Sequence, residues 1–403
     1  MKTIRRIALF TVPLIALFLS GCGKNKDGSV PAKQDKIHIR VWETDGGIDE
    51  FIKQAGKEFS KLRPDVAVDY IYVGLPAMVE KLEIDAPAGV APDIITSPHD
   101  TLGIIVSKNL VLPTRNPGDI SRKVLGACSK ALTYNGTMYG YPVSAETYAL
   151  FYNKKLIKEQ DVPKTWDDLV GWSGEFIANN PRRYPFVMDF MNMYYSVIFT
   201  TMNGNRLYGE SGSEGQNPHM GTKDAIRGME FFQSLREKLG IGSTELNTAT
   251  CDGLFSSGNA AMCVTGLWNV KPFEKAGIDF GVAALPSLPG ENKPAASFSG
   301  TRGMFVTAAS KHPDVAADFL EFLLTPEMQQ LRFSMTGAMP SIDTAVSSKY
   351  MAGFTKQLGY AFPMPSIPAM GNMWSESSET LRNIWNGADV AEEMRLLNEK
   401  IKG

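Results

Sequence analysis

Between Lys36 and Thr96 the spacing of apolar residues switches repeatedly between two periods, and this alternation limits the possible folds more than any other feature of the chain. KIHIRVWET (Lys36 to Thr44) alternates with the period of a strand. After Gly46-Gly47, the residues Ile48, Phe51, Ile52, Ala55, Phe59 and Leu62 recur on one face of a helix. Pro64 ends that helix, because proline lacks the N–H that would continue the hydrogen-bond ladder. VAVDYIYV (Val66 to Val73) is a second strand, a helix follows from Pro76 to Ala86, and Asp93 to Thr96 form a third strand. Strand, helix, strand, helix, strand predicts a doubly wound α/β layer on a parallel sheet. Ligands of such sheets sit beyond the carboxyl ends of the strands, which puts Glu43 to Gly47 and Ser97 to Thr101 on one rim.

Downstream, TYNGTMYGYPVS carries an Asn135-Gly136 turn between two short strands, a hairpin signal. AETYALFYNKKLI has strand character, and KTWDDL opens a helix with Thr165 as N-cap and Asp168 at the capping-box position. Helices are expected over 165–179, 190–202, 221–239 and 247–257. NAAMCVTG, FGVAALPSLP and GMFVTAAS read as strands, WNVKPFEKA as a helix, and HPDVAADFLEFLLTPEMQQLRF contains an amphipathic helix. Residues 369–401 are helical with a break at Asn386-Gly387.

The chain opens with a basic segment (Lys2, Arg5, Arg6) and a short apolar run from Ile7 to Leu19, interrupted by Pro13. That run falls short of the roughly 20 apolar residues of a membrane-spanning helix, so residues 1–21 read as a cleaved export signal. Leu19-Ser20-Gly21-Cys22 fits a lipobox, with Cys22 as the lipidated first residue of the mature chain. Residues 22–36, rich in Gly, Lys and Asp, are too polar to fold and form a tether. Its fourteen residues after Cys22 reach roughly 45 Å when extended. The expected location is therefore extracytoplasmic, on a membrane by a lipid anchor.

Apolar residues make up 43% of the chain, enough for globular cores, and the length suggests two domains. A net charge of −2 without a basic stripe argues against a nucleic-acid partner. The four histidines (His38, His99, His219, His312) are scattered and no metal-ligand spacing is present, so no cofactor is expected. Of the mature cysteines Cys128, Cys251 and Cys263, the last two are nearest in sequence; export permits a disulfide between them, and two buried thiols are the alternative.

The chain resembles the extracellular solute-binding protein family 1, the maltodextrin-binding proteins of bacterial transporters. The resemblance covers Ile37 to Ile401. It is carried, in order, by VWETDGGIDEFIKQAGKEFSK, APDIITSPHDTLG, YNGTMYGYPVSAETYALFYNKKLI, PKTWDDL, LFSSGNAAMCVTGLWNV, GVAALPSLPG, AADFLEFLLTPE and MPSIPAMGNMW. It implies a two-lobed periplasmic-binding-protein-like α/β fold with doubly wound sheets, a hinge and a central ligand cleft. Residues 37–144 plus 302–345 would form the N-terminal lobe and 145–301 plus 346–403 the C-terminal lobe. The chain would cross near Ser144–Ala145, near Gly300–Arg302 and near residue 345. The implied activity is non-catalytic: capture of an oligosaccharide, first of all an α-glucan, by hinge closure, and delivery to the permease subunits of an ABC importer by a monomeric receptor.

A sugar presents an apolar face of C–H groups and a rim of hydroxyls, so its receptor needs aromatic rings and planar polar groups. By position in the resemblance, Tyr194, Tyr195, Trp268 and Trp374 match the aromatic platform, and Met364 a wall. Glu146 and Asp100 match hydroxyl-binding carboxylates. The family's first-loop Asp-Lys pair falls on Gly46-Gly47, with Asp45 adjacent. A family glutamate becomes Asn192. Arg302 stands at a hinge crossing where the family has an apolar residue, and is a candidate replacement contact or a hinge ion pair. The family's N-lobe tryptophan and arginine fall on Ser97 and Thr101, and a late tyrosine and arginine on Ser375 and Ser378. The stacking platform is kept while the polar rim is rewritten, which leaves a different oligosaccharide or a polyol open as ligand. A glycoside hydrolase needs two carboxylates about 5–10 Å apart; Glu146 and Asp100 lie on separate segments, and no GxSxG elbow or phosphate loop supports other chemistry. An adhesin of insoluble glucan is the third reading.

Overall fold

The computed structural model describes residues 36–241 and 246–403; the export signal, Cys22 and the tether up to Asp35 lie outside the described residues. β1 (Ile37–Glu43) pairs in parallel with β2 (Val66–Tyr72) and with β3 (Ile94–Pro98). The helices Ile48–Leu62 and Leu75–Asp85 make the two crossovers. Neighbouring residues of these strands face opposite sides of the sheet, as the strand period demands. Ile39, Val41 and Ile94 enter one core with Phe51, Phe59 and Phe319. Trp42 and Ile95 enter another with Leu82, Leu102 and Phe305. The sheet is thus buried on both faces at β1 and β3, while the edge strand β2 leaves Ile71 and Tyr72 exposed.

A two-residue turn joins β4 (Thr133–Tyr134) to β5 (Thr137–Met138), with Asn135 and Gly136 both in the left-handed region that this turn requires. β6 (Tyr141–Asn153) is thirteen residues long. β7 (Tyr184–Val187), β8 (Ala260–Gly266), β9 (Phe280–Ala283), β10 (Phe298–Val306) and β11 (Phe362–Pro363) complete the strands. The main sheet runs β2-β1-β3-β10-β6-β8-β7, with β9 on β6 and β11 on β10. It is mixed rather than parallel. β10 lies antiparallel to both β3 and β6, because it enters from the second lobe without the crossover helix that a parallel neighbour needs.

Two strands belong to two cores. In β6, Tyr141 and Val143 pack in the first core, whereas Tyr148 to Tyr152 pack with Phe186, Phe232, Met262 and Trp385 in the second lobe. In β10, Phe298 belongs to that second lobe, and Met304 and Val306 to the first. Between Ile342 and Tyr350 the chain passes a third time from one core to the other.

Several local expectations change. The helix expected over 190–202 is one turn, Met193–Ser196, followed by 3-10 turns over Val197–Gly204 that break at Met202 and Asn203. The carbonyl of Phe199 is pressed against Gly228 of the helix Lys223–Lys238; a Cβ there would sit 1.6 Å from it. The stretch from His312 splits into Pro313–Leu323 and Pro326–Thr336, since Thr325 caps the second helix and Pro326 cannot continue the first. Strand pairing at FGVAALPSLP stops at Ala283, ahead of Pro286 and Pro289. Thr165 does cap Trp166–Asn179, accepting the Asp168 N–H at 3.0 Å. Cys251 and Cys263 are free and buried, as is Cys128, so the disulfide alternative does not hold. Burial pushes the Cys251 thiol up to about 12 and Cys263 well above the usual range, which suppresses the thiolate that exchange requires.

Candidate functional site

The loops after β1 and β3 open on one rim, and a cavity of about 590 Å³ lies there, within the usual range for ligand pockets. Thr44, Asp45 and Gly46 follow β1, and Pro98 and Asp100 follow β3. Glu146 comes from β6 where it passes between the cores, and Arg302 from β10 opposite. The second lobe supplies Asn192, Tyr194, Trp268, Met364 and Trp374. Every site residue named from the sequence lines this cavity except Tyr195 and the out-of-range Cys22.

The aromatic wall is held from behind. Asn192 caps the turn Met193–Ser196 by accepting the Tyr194 N–H at 3.0 Å, and this fixes where the Tyr194 ring leaves the backbone. That ring packs 5.0 Å from Tyr148 and 6.2 Å from Trp268. Trp268 is 36% exposed and folds back over Gly266, where a Cβ would meet its ring at 2.2 Å. Tyr195 is a correction: at 3% exposure it lies beneath Tyr194, the two rings edge-to-face at 5.2 Å, and packs edge-on to Tyr148 inside the core of the second lobe. On a single helical turn, successive residues face about 100° apart, so only one of two adjacent tyrosines turns toward the cleft. Met191 and Met193 are buried behind the pair.

Trp374 crosses between the lobes. Its indole N–H donates to Asp100 Oδ2 at 2.8 Å, while the other carboxylate oxygen is buried without a partner. Burial raises the Asp100 pKa to about 6, opposed by the Trp374 hydrogen bond and reinforced by Glu146. Beside it, His99 accepts the Thr301 N–H on Nδ1 at 3.1 Å, so its Nε2–H donates to the Met364 carbonyl at 2.9 Å. Burial lowers its pKa to about 4, so the ring is a neutral tie between the segments at neutral pH.

The N-lobe floor is ionic. Arg302 Nη2 donates to Glu43 Oε1 at 2.5 Å and to Thr44 Oγ1 at 2.9 Å. Burial is the largest single influence and acts against both charges, but the pair's attraction, joined by Arg332 and the Thr44 N–H at Glu43 and by Glu146 at Arg302, leaves Glu43 lowered and Arg302 raised from their ordinary values. Arg302 is therefore both a wall residue and half of a buried ion pair. Arg332 lies nearby with three buried guanidinium nitrogens that have no partner, over the Phe51 ring at 5.5 Å. Burial brings its pKa down to about 10, so it stays charged. Arg332 was not among the residues singled out from the sequence, although a signal exists. Met328, Arg332 and Thr336 recur every fourth residue on the buried stripe of Pro326–Thr336, and a charge on such a stripe asks for a reason. Among the described residues no group of His, Cys, Asp or Glu is placed to hold a metal ion.

Two lobes that share strands, enclosing one cleft with aromatic faces on one side and carboxylates and guanidiniums on the other, define a solute receptor of the hinged two-lobed class. The model of bacterial extracellular solute-binding proteins matches residues 45–330, and the chain belongs to that family. It is 28% identical to a galactooligosaccharide-binding protein of Bacillus subtilis (strain 168), over 100% of this chain and 98% of that one. It is 25% identical to a maltooligosaccharide ABC transporter solute-binding lipoprotein of Streptococcus pneumoniae (strain ATCC BAA-255 / R6), over 98% and 96%. Its fold matches the Thermus thermophilus maltotriose binding protein bound with maltotriose at a TM-score of 0.83 and 25% identity, covering 90% of this chain and 99% of that one.

Proposed function

We propose that this chain is the extracytoplasmic receptor of an ABC importer, capturing an oligosaccharide, first of all an α-glucan, in the cleft and passing it to a membrane permease. One observation carries the reading: Tyr194, Trp268 and Trp374 face a single cavity that is also lined by Glu146 and Asp100. Rings take the C–H face of a sugar, and the carboxylates take its hydroxyls. In this reading residues 37–144 plus 302–345 and 145–301 plus 346–403 close as two bodies about β6, β10 and the 342–350 segment, with the ligand contacting both. Cys22 carries the lipid that keeps the receptor at the membrane, and the receptor works as a monomer without catalysis.

The test is a titration of intrinsic tryptophan fluorescence on protein beginning after Cys22, with maltotriose. A saturable change near micromolar sugar, about −8 kcal/mol, that is lost in Trp268→Ala supports the α-glucan receptor. A galactooligosaccharide is the second reading, favoured by the Bacillus subtilis relative at 28% identity. It is supported if β-galacto-oligosaccharides saturate the signal and maltotriose does not. Release of shorter sugars from maltohexaose would overturn the non-catalytic reading. Membrane retention of the full chain that survives Cys22→Ala would overturn the anchor.

A further inference from the structure

Away from the cleft, loops of the second lobe converge on a separate cavity of about 480 Å³, which shares no wall with the first. They are the end of the 3-10 turns Val197–Gly204 with Arg206 just beyond, residues 288–296 between β9 and β10, and residues 359–361 ahead of β11.

Arg206 is held at the edge of this space from two sides. Its guanidinium lies over the Phe362 ring at 4.8 Å, and Nη1 donates to the Asn205 carbonyl at 2.9 Å. Cation and ring attract, and a stacked guanidinium keeps its N–H groups in its own plane, clear of the ring. Among the described residues neither Nε nor Nη2 has a hydrogen-bond partner, and no carboxylate forms an ion pair with the group. Partial burial lowers its pKa from the ordinary value, opposed by Glu210, which acts on the charge without bonding to it. Lys293 is a second cation on the same cavity, exposed and likewise without an ion pair among the described residues. The one carboxylate among the walls, Glu291, is tied to the opposite loop, accepting the Asn203 N–H at 2.9 Å. Two cations therefore face one space against a single carboxylate. Leu288 and Ala295, both buried, give that space an apolar floor.

We propose that this cavity is a second binding site, for a small anionic ligand that carries a carboxylate or phosphate group. The Arg206 fork takes two oxygens side by side, the geometry in which arginine pairs such groups. Lys293 supplies the second charge, and the floor of Leu288 and Ala295 takes a short carbon body. A neutral sugar has no group of this kind, so the ligand differs from the occupant proposed for the cleft, and the site stands whether or not the cleft takes a saccharide.

The test titrates the mature protein at low ionic strength with inorganic phosphate, glucose 6-phosphate and citrate, by calorimetry and by thermal melting. At least one probe should bind saturably below about 1 mM and raise the melting temperature, because a ligand of the native state stabilises it. Phosphate or glucose 6-phosphate marks a phosphorylated ligand, and citrate alone a carboxylate. Arg206→Lys keeps a charge over Phe362 but loses the fork, and should weaken the probe roughly tenfold with the ligand-free melting temperature unchanged. Lys293→Glu, at an exposed position, should abolish binding. Failure of all three probes to bind, or an affinity unchanged in both variants, overturns the site. So does displacement of the probe by maltotriose, which would put it in the cleft. A lower ligand-free melting temperature in Arg206→Lys with the probe affinity intact also overturns it, since the guanidinium would then serve only to cover Phe362.

Discussion

Replacing Arg302 by methionine removes the guanidinium from a buried pair while keeping an apolar side chain of similar reach. Glu43 is then left with no exposure to solvent, its Thr44 contacts and only the more distant Arg332 as counter-charge. Two unit charges about 4 Å apart at an effective dielectric near 20 attract by about 4 kcal/mol. Breaking one side of a buried pair costs about 3–5 kcal/mol in general. Arg332 partly compensates, so about 3 kcal/mol is expected for Arg302→Met, read as the loss in equilibrium urea denaturation at pH 7. The pH dependence supplies a second readout. In the native protein Glu43 is held below its usual value, so its contribution is present at neutral pH and is lost as pH falls through that lowered value. Without Arg302 its pKa moves up, and the deficit of the variant should grow as pH rises above 4.5 and shrink in acid. Glu43→Gln/Arg302→Met should be more stable than Arg302→Met alone. A single variant as stable as the parent across this range would refute the pairing.

Asp100, raised to about 6, costs stability that appears as pH rises from 3.8 through that value. Asp100→Asn should therefore gain roughly 2–3 kcal/mol at pH 8 and nothing at pH 3.5, while maltotriose affinity loses its dependence between pH 5 and 7. Tyr194→Ala should weaken sugar binding roughly tenfold at a smaller cost in stability than the loss of the fully buried Tyr195, although its ring also packs on Tyr148 and Phe298. Tyr195→Ala should do the reverse, costing about 3–5 kcal/mol of stability; equal effects on binding would refute the orientation of the two rings. Gly228→Ala drives a methyl into the Phe199 carbonyl, and denaturation should show a loss of about 1–3 kcal/mol or more.

The strands and helices of the first hundred residues were legible because their apolar periods are clean and Gly47 and Pro64 punctuate them. The antiparallel entry of β10 was not, since strand direction depends on where a chain returns after some 150 residues in another lobe. The cavity residues were found by position in a resemblance, which marks an address on the chain but not the direction of a side chain. Tyr194 and Tyr195 share an address, and only the cap by Asn192 and the short turn decide which ring faces the cleft. Arg332 escaped because it lies in a helix that reads as ordinary core, and its lack of partners is a fact of three dimensions.

β6 and β10 each donate side chains to both lobes, so neither lobe owns its central strands. Loss of packing around Phe151 or Phe298 frays a strand whose other end holds Val143 or Met304. The chain should then melt as a single calorimetric transition despite its two cores, with the van't Hoff enthalpy equal to the measured one. A hinge made from shared strands permits the lobes to rotate, yet forbids either from surviving the other.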